Sequence, residues 1–205
     1  MRKNIFYILI TAYLALLIQT PGRFVYGLTI MIELFLLVLV GTLSISLIKK
    51  IKLEEIASLI LMTILIAFTI LFRQILAITY SEIALTLGYI LYFPTLSIFL
   101  LNNLFIIESE SLKVRLISNV KSSMIFIVLG LLFFLFRDIA GYGTFTFFGK
   151  NHNLYEKVLF ITDEIGIFSF VASIPGALIM SGLLLLMISF ISKKIKIIKN
   201  VEQQQ

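Results

Sequence analysis

The chain has 205 residues, of which 60% are hydrophobic and 14% charged, with a net charge of +6. Its mean hydropathy of +1.09 excludes a water-soluble domain of this size, which has too little interior to hide that much apolar surface. There are no cysteines and a single histidine, His152, so disulfides, thiolate metal sites and thiol catalysis are excluded, and a histidine-based metal centre is disfavoured.

A bilayer span needs about 20 mostly apolar residues to cross a core of about 30 Å. Six runs qualify, at 4–20, 25–48, 56–78, 83–107, 119–136 and 166–192. The expected fold is therefore an all-α integral membrane protein with six transmembrane helices. Residues 1–200 form its single domain, and 201–205 form a disordered tail. The first run, behind Arg2 and Lys3, also has the layout of a signal peptide. Its exit, LLIQTPG, lacks a small-x-small cleavage pattern, and Tyr13 and Gln19 suit a retained helix.

Basic residues set the expected orientation. Arg2, Lys3, Lys49, Lys50, Lys52, Lys113, Arg115, Lys121, Lys193, Lys194, Lys196 and Lys199 fall on one side. Arg23, Arg73, Arg137, Lys150 and Lys157 fall on the other. The bias puts both termini of this multi-pass chain in the cytoplasm. The basic residues flank apolar runs, so the charge points to the lipid bilayer as partner and not to nucleic acid.

Polar residues inside the runs are the candidate site residues. Glu33 lies within the second span, where a charge costs about 2.5–3.5 kcal/mol and must face protein or water. It is a candidate cation or proton ligand, or else a pairing or snorkelling glutamate. Arg73 can snorkel to the surface or pair with Glu33 along an ion path. In the fourth span, Pro94 is expected to kink the helix. Asn102 and Asn103 can bridge helices, satisfy broken backbone or offer carbonyl oxygens to an ion. Pro175 and Gly176 bend the sixth span, beside a small-residue face of Ala177, Ser181 and Gly182. Between spans five and six, residues 137–165 carry Gly141, Gly143 and Gly149 and are expected to turn instead of continuing a helix. Their aromatic residues suit a membrane interface. Asp163 and Glu164 form a solvated pair at the mouth of the sixth span. No nucleotide-binding or hydrolase motif is present.

Several stretches resemble the Rnf/Nqr membrane subunits. LGYILYFPTLSIFLLNNLFIIESES (87–111) resembles the family's fourth span, with its L-G-I-F-[IL]-P-L-[IV]-x-T-N-C pattern. FLFRDIAGYGTFTFFG (134–149) resembles its R-E-x-[IL]-G-x-G-[ST]-x-F stretch through Arg137, Asp138, Gly141, Gly143 and Thr144. IPGALIMSGLLL (174–185) is similar to the start of its last span through Pro175, Gly176 and Ala177, and SISLIKKIKLEEI (44–56) to the end of its second. The resemblance covers about 40–200 and extends more faintly through the first span.

It implies two inverted three-helix repeats, with spans one and four broken at the membrane centre. It also implies a sister subunit of opposite topology and a [2Fe–2S] cluster held between the two, in a complex coupling electron flow to Na⁺ or H⁺ movement. Cytoplasmic termini fit the RnfE/NqrD-type sister. The family's cluster cysteines align with Leu14 and Asn103, and Asn102 aligns with the family's asparagine. Leucine cannot ligate iron and asparagine is a poor ligand for such a centre, so no cluster or other cofactor is expected. On this resemblance the chain is at most a non-catalytic subunit of an ion-motive translocase. The alternative is a stand-alone secondary transporter of an ion or small solute on the same inverted-repeat fold.

Overall fold

The structure, a computed structural model, describes residues 16–53, 55–100, 112–150, 152–160 and 166–202. Its helices, numbered in chain order, are α1 (Phe24–Ile51), α2 (Ala57–Thr79), α3 (Ser81–Leu87), α4 (Tyr92–Leu100), α5 (Leu112–Tyr142), α6 (Gly166–Ala172) and α7 (Ile174–Glu202). A 3₁₀ turn at Gly88–Leu91 links α3 to α4. Four stretches are long and apolar enough to cross a membrane: α1, α2, α3–α4 taken together, and α5. They correspond to the second to fifth predicted spans. Most of the first predicted span lies outside the described residues.

Helix α1 is the centre of the bundle and packs on α5, α2 and α4. Its seam with α5 is antiparallel and uses glycines as sockets. The Phe134 ring fills the space where a Cβ on Gly27 would stand, and the Met31 thioether does the same at Gly130. Such close approach is how helices associate where no hydrophobic effect drives them together. Further along the seam, Asn119 Nδ2 donates to Thr42 Oγ1 over 3.2 Å. The outward faces are apolar, as lipid-facing surfaces are: Leu59, Ile78, Leu85 and Phe190 are each more than two-thirds exposed.

Three local expectations need correction. Pro94 does not kink a continuous helix. The fourth span breaks earlier, at Gly88, whose φ of +45° suits a residue without Cβ. Pro94 then sits in the first turn of α4, where its missing N–H leaves no bond unmade. The fifth span continues through Arg137 to Tyr142 and ends at Gly143, which caps it with φ +66° and an N–H bonded to the Ile139 carbonyl. At its other end α5 begins at Leu112, so Lys113, Arg115 and Lys121 lie on helix and not in a loop.

The third correction is to the all-α expectation: the long connection turns, but as a β-hairpin. Strands β1 (Thr144–Phe148) and β2 (Leu154–Val158) pair antiparallel, Thr144 opposite Val158 and Phe148 opposite Leu154. Phe145 and Phe147 stack on Phe24. At the hairpin tip His152 Nδ1 donates to the Thr79 carbonyl over 2.5 Å. Tyr80 packs against Phe148 and His152. The hairpin is thereby fastened to the corner between α2 and α3.

The sixth predicted span is interrupted at Ser173. Its hydroxyl accepts from the Gly176 N–H and donates to the Phe170 carbonyl, which makes it the N-cap of α7. Pro175 occupies the first turn of that helix. A Cβ on Gly176 would lie 2.0 Å from the Phe170 carbonyl oxygen, so the turn requires glycine.

Candidate functional site

Two buried polar centres are present, and they differ in whether their charges are satisfied. The first is at the hairpin end of α5. Arg137 is fully buried. Its Nη1 donates to the carbonyls of Thr20 (2.9 Å) and Leu17 (3.1 Å), and its Nη2 to Ala172 (2.7 Å). Longer contacts of 3.4 Å reach Val171 and Ser173. Residues 16–19 are helical and α6 ends at Ala172, so one guanidinium caps the C-terminal ends of two helices. A cation belongs there on dipole grounds, and the planar fork of arginine can serve both ends at once.

Asp138, the next residue, is equally buried and faces the opposite polarity. Its carboxylate accepts from the Phe24 N–H (3.1 Å), the Thr144 hydroxyl (2.9 Å), the Thr146 N–H (2.8 Å) and the Thr146 hydroxyl (2.7 Å). The Val25 N–H in turn donates to Thr146 Oγ1. An anion thus caps the N-terminus of α1 and anchors β1 to it. Gly141 lets α6 approach, since a Cβ there would stand 2.6 Å from the Ala172 Cβ. The residues Arg137, Asp138, Gly141, Gly143 and Thr144 therefore build a clamp joining α1, α5, α6 and the hairpin. Its polar groups are used in holding helix ends and strand β1.

The second centre lies in the middle of α1. Glu33 is fully buried. Neither carboxyl oxygen has a hydrogen-bond partner among the described residues. Its polar neighbour is the Thr69 hydroxyl on α2, and Thr69 Oγ1 is 2.5 Å from Thr95 Oγ1 on α4. Both hydroxyls are buried. Thr95 follows Pro94, itself buried in the first turn of the broken fourth span. The structure thus unites two regions that the sequence leaves apart: the carboxyl of the second span and the proline of the fourth. On the same face of α1, Gly41 lies against Leu65 of α2 and Ile98 of α4. The junction of these three helices therefore continues past the carboxyl.

Arg73 takes no part in this junction. It is exposed on α2 and forms no ion pair with Glu33; the ion pair among the described residues joins Arg23 to Glu156 over 2.8 Å at the surface. Leu14, Asn102, Asn103, Asp163 and Glu164 lie outside the described residues. No group of three metal-ligating side chains occurs among the described residues. With no cysteine in the chain, the donors present do not fit an iron–sulfur cluster of the thiolate-held kind.

Thr69 and Thr95 are the site residues that sequence reasoning missed. Threonine in an apolar helix ordinarily turns its hydroxyl back onto the carbonyl four residues earlier. Thr29, Thr42, Thr63 and Thr79 all do so. Nothing local distinguishes the two that reach across to another helix. Comparison with known proteins singles out no family: no family model matches the chain, and neither a curated protein nor a solved structure matches it.

Proposed function

We propose that this chain is a cation-translocating membrane protein whose working group is Glu33, at the junction of α1, α2 and α4. The observation that carries this reading is a fully buried carboxyl with no hydrogen-bond partner among the described residues. Such a group is costly in a membrane interior and marks an ion path by default. Its position supports the same reading, because Thr95 at the junction belongs to a fourth span broken at Gly88, and transporters build midplane sites from discontinuous helices. In the proposed arrangement six spans form two inverted repeats in a bacterial inner membrane. Both termini are cytoplasmic, and the hairpin lies on the outer side.

The physiological setting we propose is an Rnf/Nqr-like complex. There the chain acts beside an opposite-topology sister subunit, coupling redox chemistry to Na⁺ or H⁺ movement without a cluster of its own. The clamp at Arg137–Asp138 supports this, since it gives the residues that carry the resemblance a shared structural task. The second reading is a stand-alone secondary transporter, and the absence of every cysteine favours it. Reconstitution of the purified chain in proteoliposomes tests both. Cation flux by the chain alone, lost in Glu33→Gln, supports the transporter. Flux that requires co-purified flavin-bearing partners supports the complex. Equal flux with and without Glu33, in either preparation, overturns the proposal.

A further inference from the structure

We infer that the species bound at Glu33 is a proton and not a metal cation, with the Thr69–Thr95 hydroxyl pair positioning the carboxyl. This rests on the reading of Glu33 as a working group and names what it binds.

The donor set decides between the two. Hard metal cations stripped of water need many oxygen ligands, about six or more for Ca²⁺. Among the described residues, the side-chain oxygens assembled here are two from Glu33 and the hydroxyls of Thr69 and Thr95. The two hydroxyls share one hydrogen bond of 2.5 Å, which leaves one hydroxyl proton to aim at the carboxyl. Thr29, one turn away on α1, would add one further hydroxyl oxygen at most, which leaves the set short of six. A carboxyl oxygen needs no other ligand to take a proton: one O–H bond forms, the charge goes from −1 to 0, and deprotonation returns the proton to water.

The open space one turn from the carboxyl is also apolar. A cavity of about 200 Å³ opens between α1, α2 and the hairpin, walled by Thr29, Ile32, Phe72, Leu76 and Phe148. Thr29 is four residues from Glu33, about 6 Å along a helix. Such walls do not replace the hydration shell of a metal ion, whereas a proton needs only a transient water.

Among the described residues, no other charge competes for the carboxyl. On α2, Arg73 is exposed. On α4 the titratable side chain is Tyr92, which is only partly buried. Lys113, Arg115 and Lys121 lie in the first three turns of α5, on the side away from the hairpin. At its other end Arg137 and Asp138 are committed to helix ends and Tyr142 is exposed. Strand β1 brings no ionisable side chain. None of these makes an ion pair with Glu33.

The test uses the full chain in liposomes with dicyclohexylcarbodiimide, which attacks carboxyls in their protonated form in apolar surroundings. Peptide mass mapping should find Glu33 labelled, with labelling increasing as pH falls, unaffected by NaCl or LiCl, and lost in Glu33→Gln. Thr69→Val should slow labelling and Thr69→Ser should restore it. Protection by Na⁺ or Li⁺, or no label at any pH, overturns the inference. Flux measured in the same vesicles separates the two claims. Labelling of this kind with equal flux in wild type and Glu33→Gln leaves a proton-binding carboxyl but removes the translocation reading. Na⁺-protected labelling with Glu33-dependent flux leaves translocation and removes the proton.

Discussion

Replacing Arg137 by alanine should unfasten the hairpin end of the bundle. The guanidinium makes three bonds of 2.7–3.1 Å to carbonyls at the ends of two helices. Each charge-assisted bond contributes about 1.5–3 kcal/mol net, and the carbonyls left behind cannot all reach water. The bonds act together, so their sum overstates the effect; breaking a buried charged network costs about 3–5 kcal/mol. At about 2–4 °C per kcal/mol for a chain of this length, the midpoint should fall by about 10 °C. Thermal unfolding in detergent, followed by circular dichroism, reads this directly. Arg137→Lys should recover less than half of the loss, because an ammonium cannot fork between two helix ends. A midpoint for Arg137→Ala within 2 °C of wild type, roughly the effect of 1 kcal/mol or less, would refute the clamp.

Asp138→Asn should cost about 1–3 kcal/mol, because the amide nitrogen would face donors where the carboxylate accepts four bonds; faster hydrogen exchange at the Thr146 amide should accompany the lower midpoint. Gly176→Ala should destabilise by about 1–3 kcal/mol, since its Cβ would meet the Phe170 carbonyl at 2.0 Å. Gly182→Ala, in the same helix with nothing within 4 Å of its Cβ, should stabilise by about 0.5–1 kcal/mol through helix propensity. A common response of the two glycines in the same melting assay would count against the turn at Ser173.

Hydropathy alone located the four long apolar stretches, because lipid exposure demands the same residues over the full length of a span. It also marked Glu33, since a carboxylate is conspicuous among leucines and isoleucines. The residues Arg137, Asp138, Gly141 and Gly143 were legible as a unit, but their task was not. Spacing does not say that one side chain caps two helix C-termini while its neighbour caps an N-terminus. The hairpin left only a faint local trace: Thr144-Phe145-Thr146-Phe147 alternates, and Gly143 and Gly149 bound β1. Its aromatic content suits an interface equally well, and β2, with Glu156 and Lys157, has no apolar face to betray it. Pro94 misled because a proline within a long apolar run implies a kink, whereas Gly88 had already ended the helix.

The contrast between the two buried centres yields a prediction of its own. Arg137 and Asp138 are charges whose hydrogen-bonding capacity is filled from three helix ends and a strand, so removing either leaves partners stranded. Glu33 leaves a smaller debt, because its polar neighbour, the Thr69 hydroxyl, keeps its bond to Thr95 without it. Its burden is the cost of a carboxyl in an apolar interior, about 2.5–3.5 kcal/mol on membrane-insertion scales. Methionine is similar in length, unbranched and adaptable to an irregular site. Glu33→Met should therefore unfold at a temperature equal to or above that of wild type, with a gain of about 1–3 kcal/mol, while abolishing any flux. This is the trade expected where a destabilising residue is kept for its activity. A loss of stability comparable to that of Arg137→Ala would mean that the carboxyl holds the fold together. Glu33 would then rank with the clamp as structure, and the translocation reading would lose the observation on which it rests.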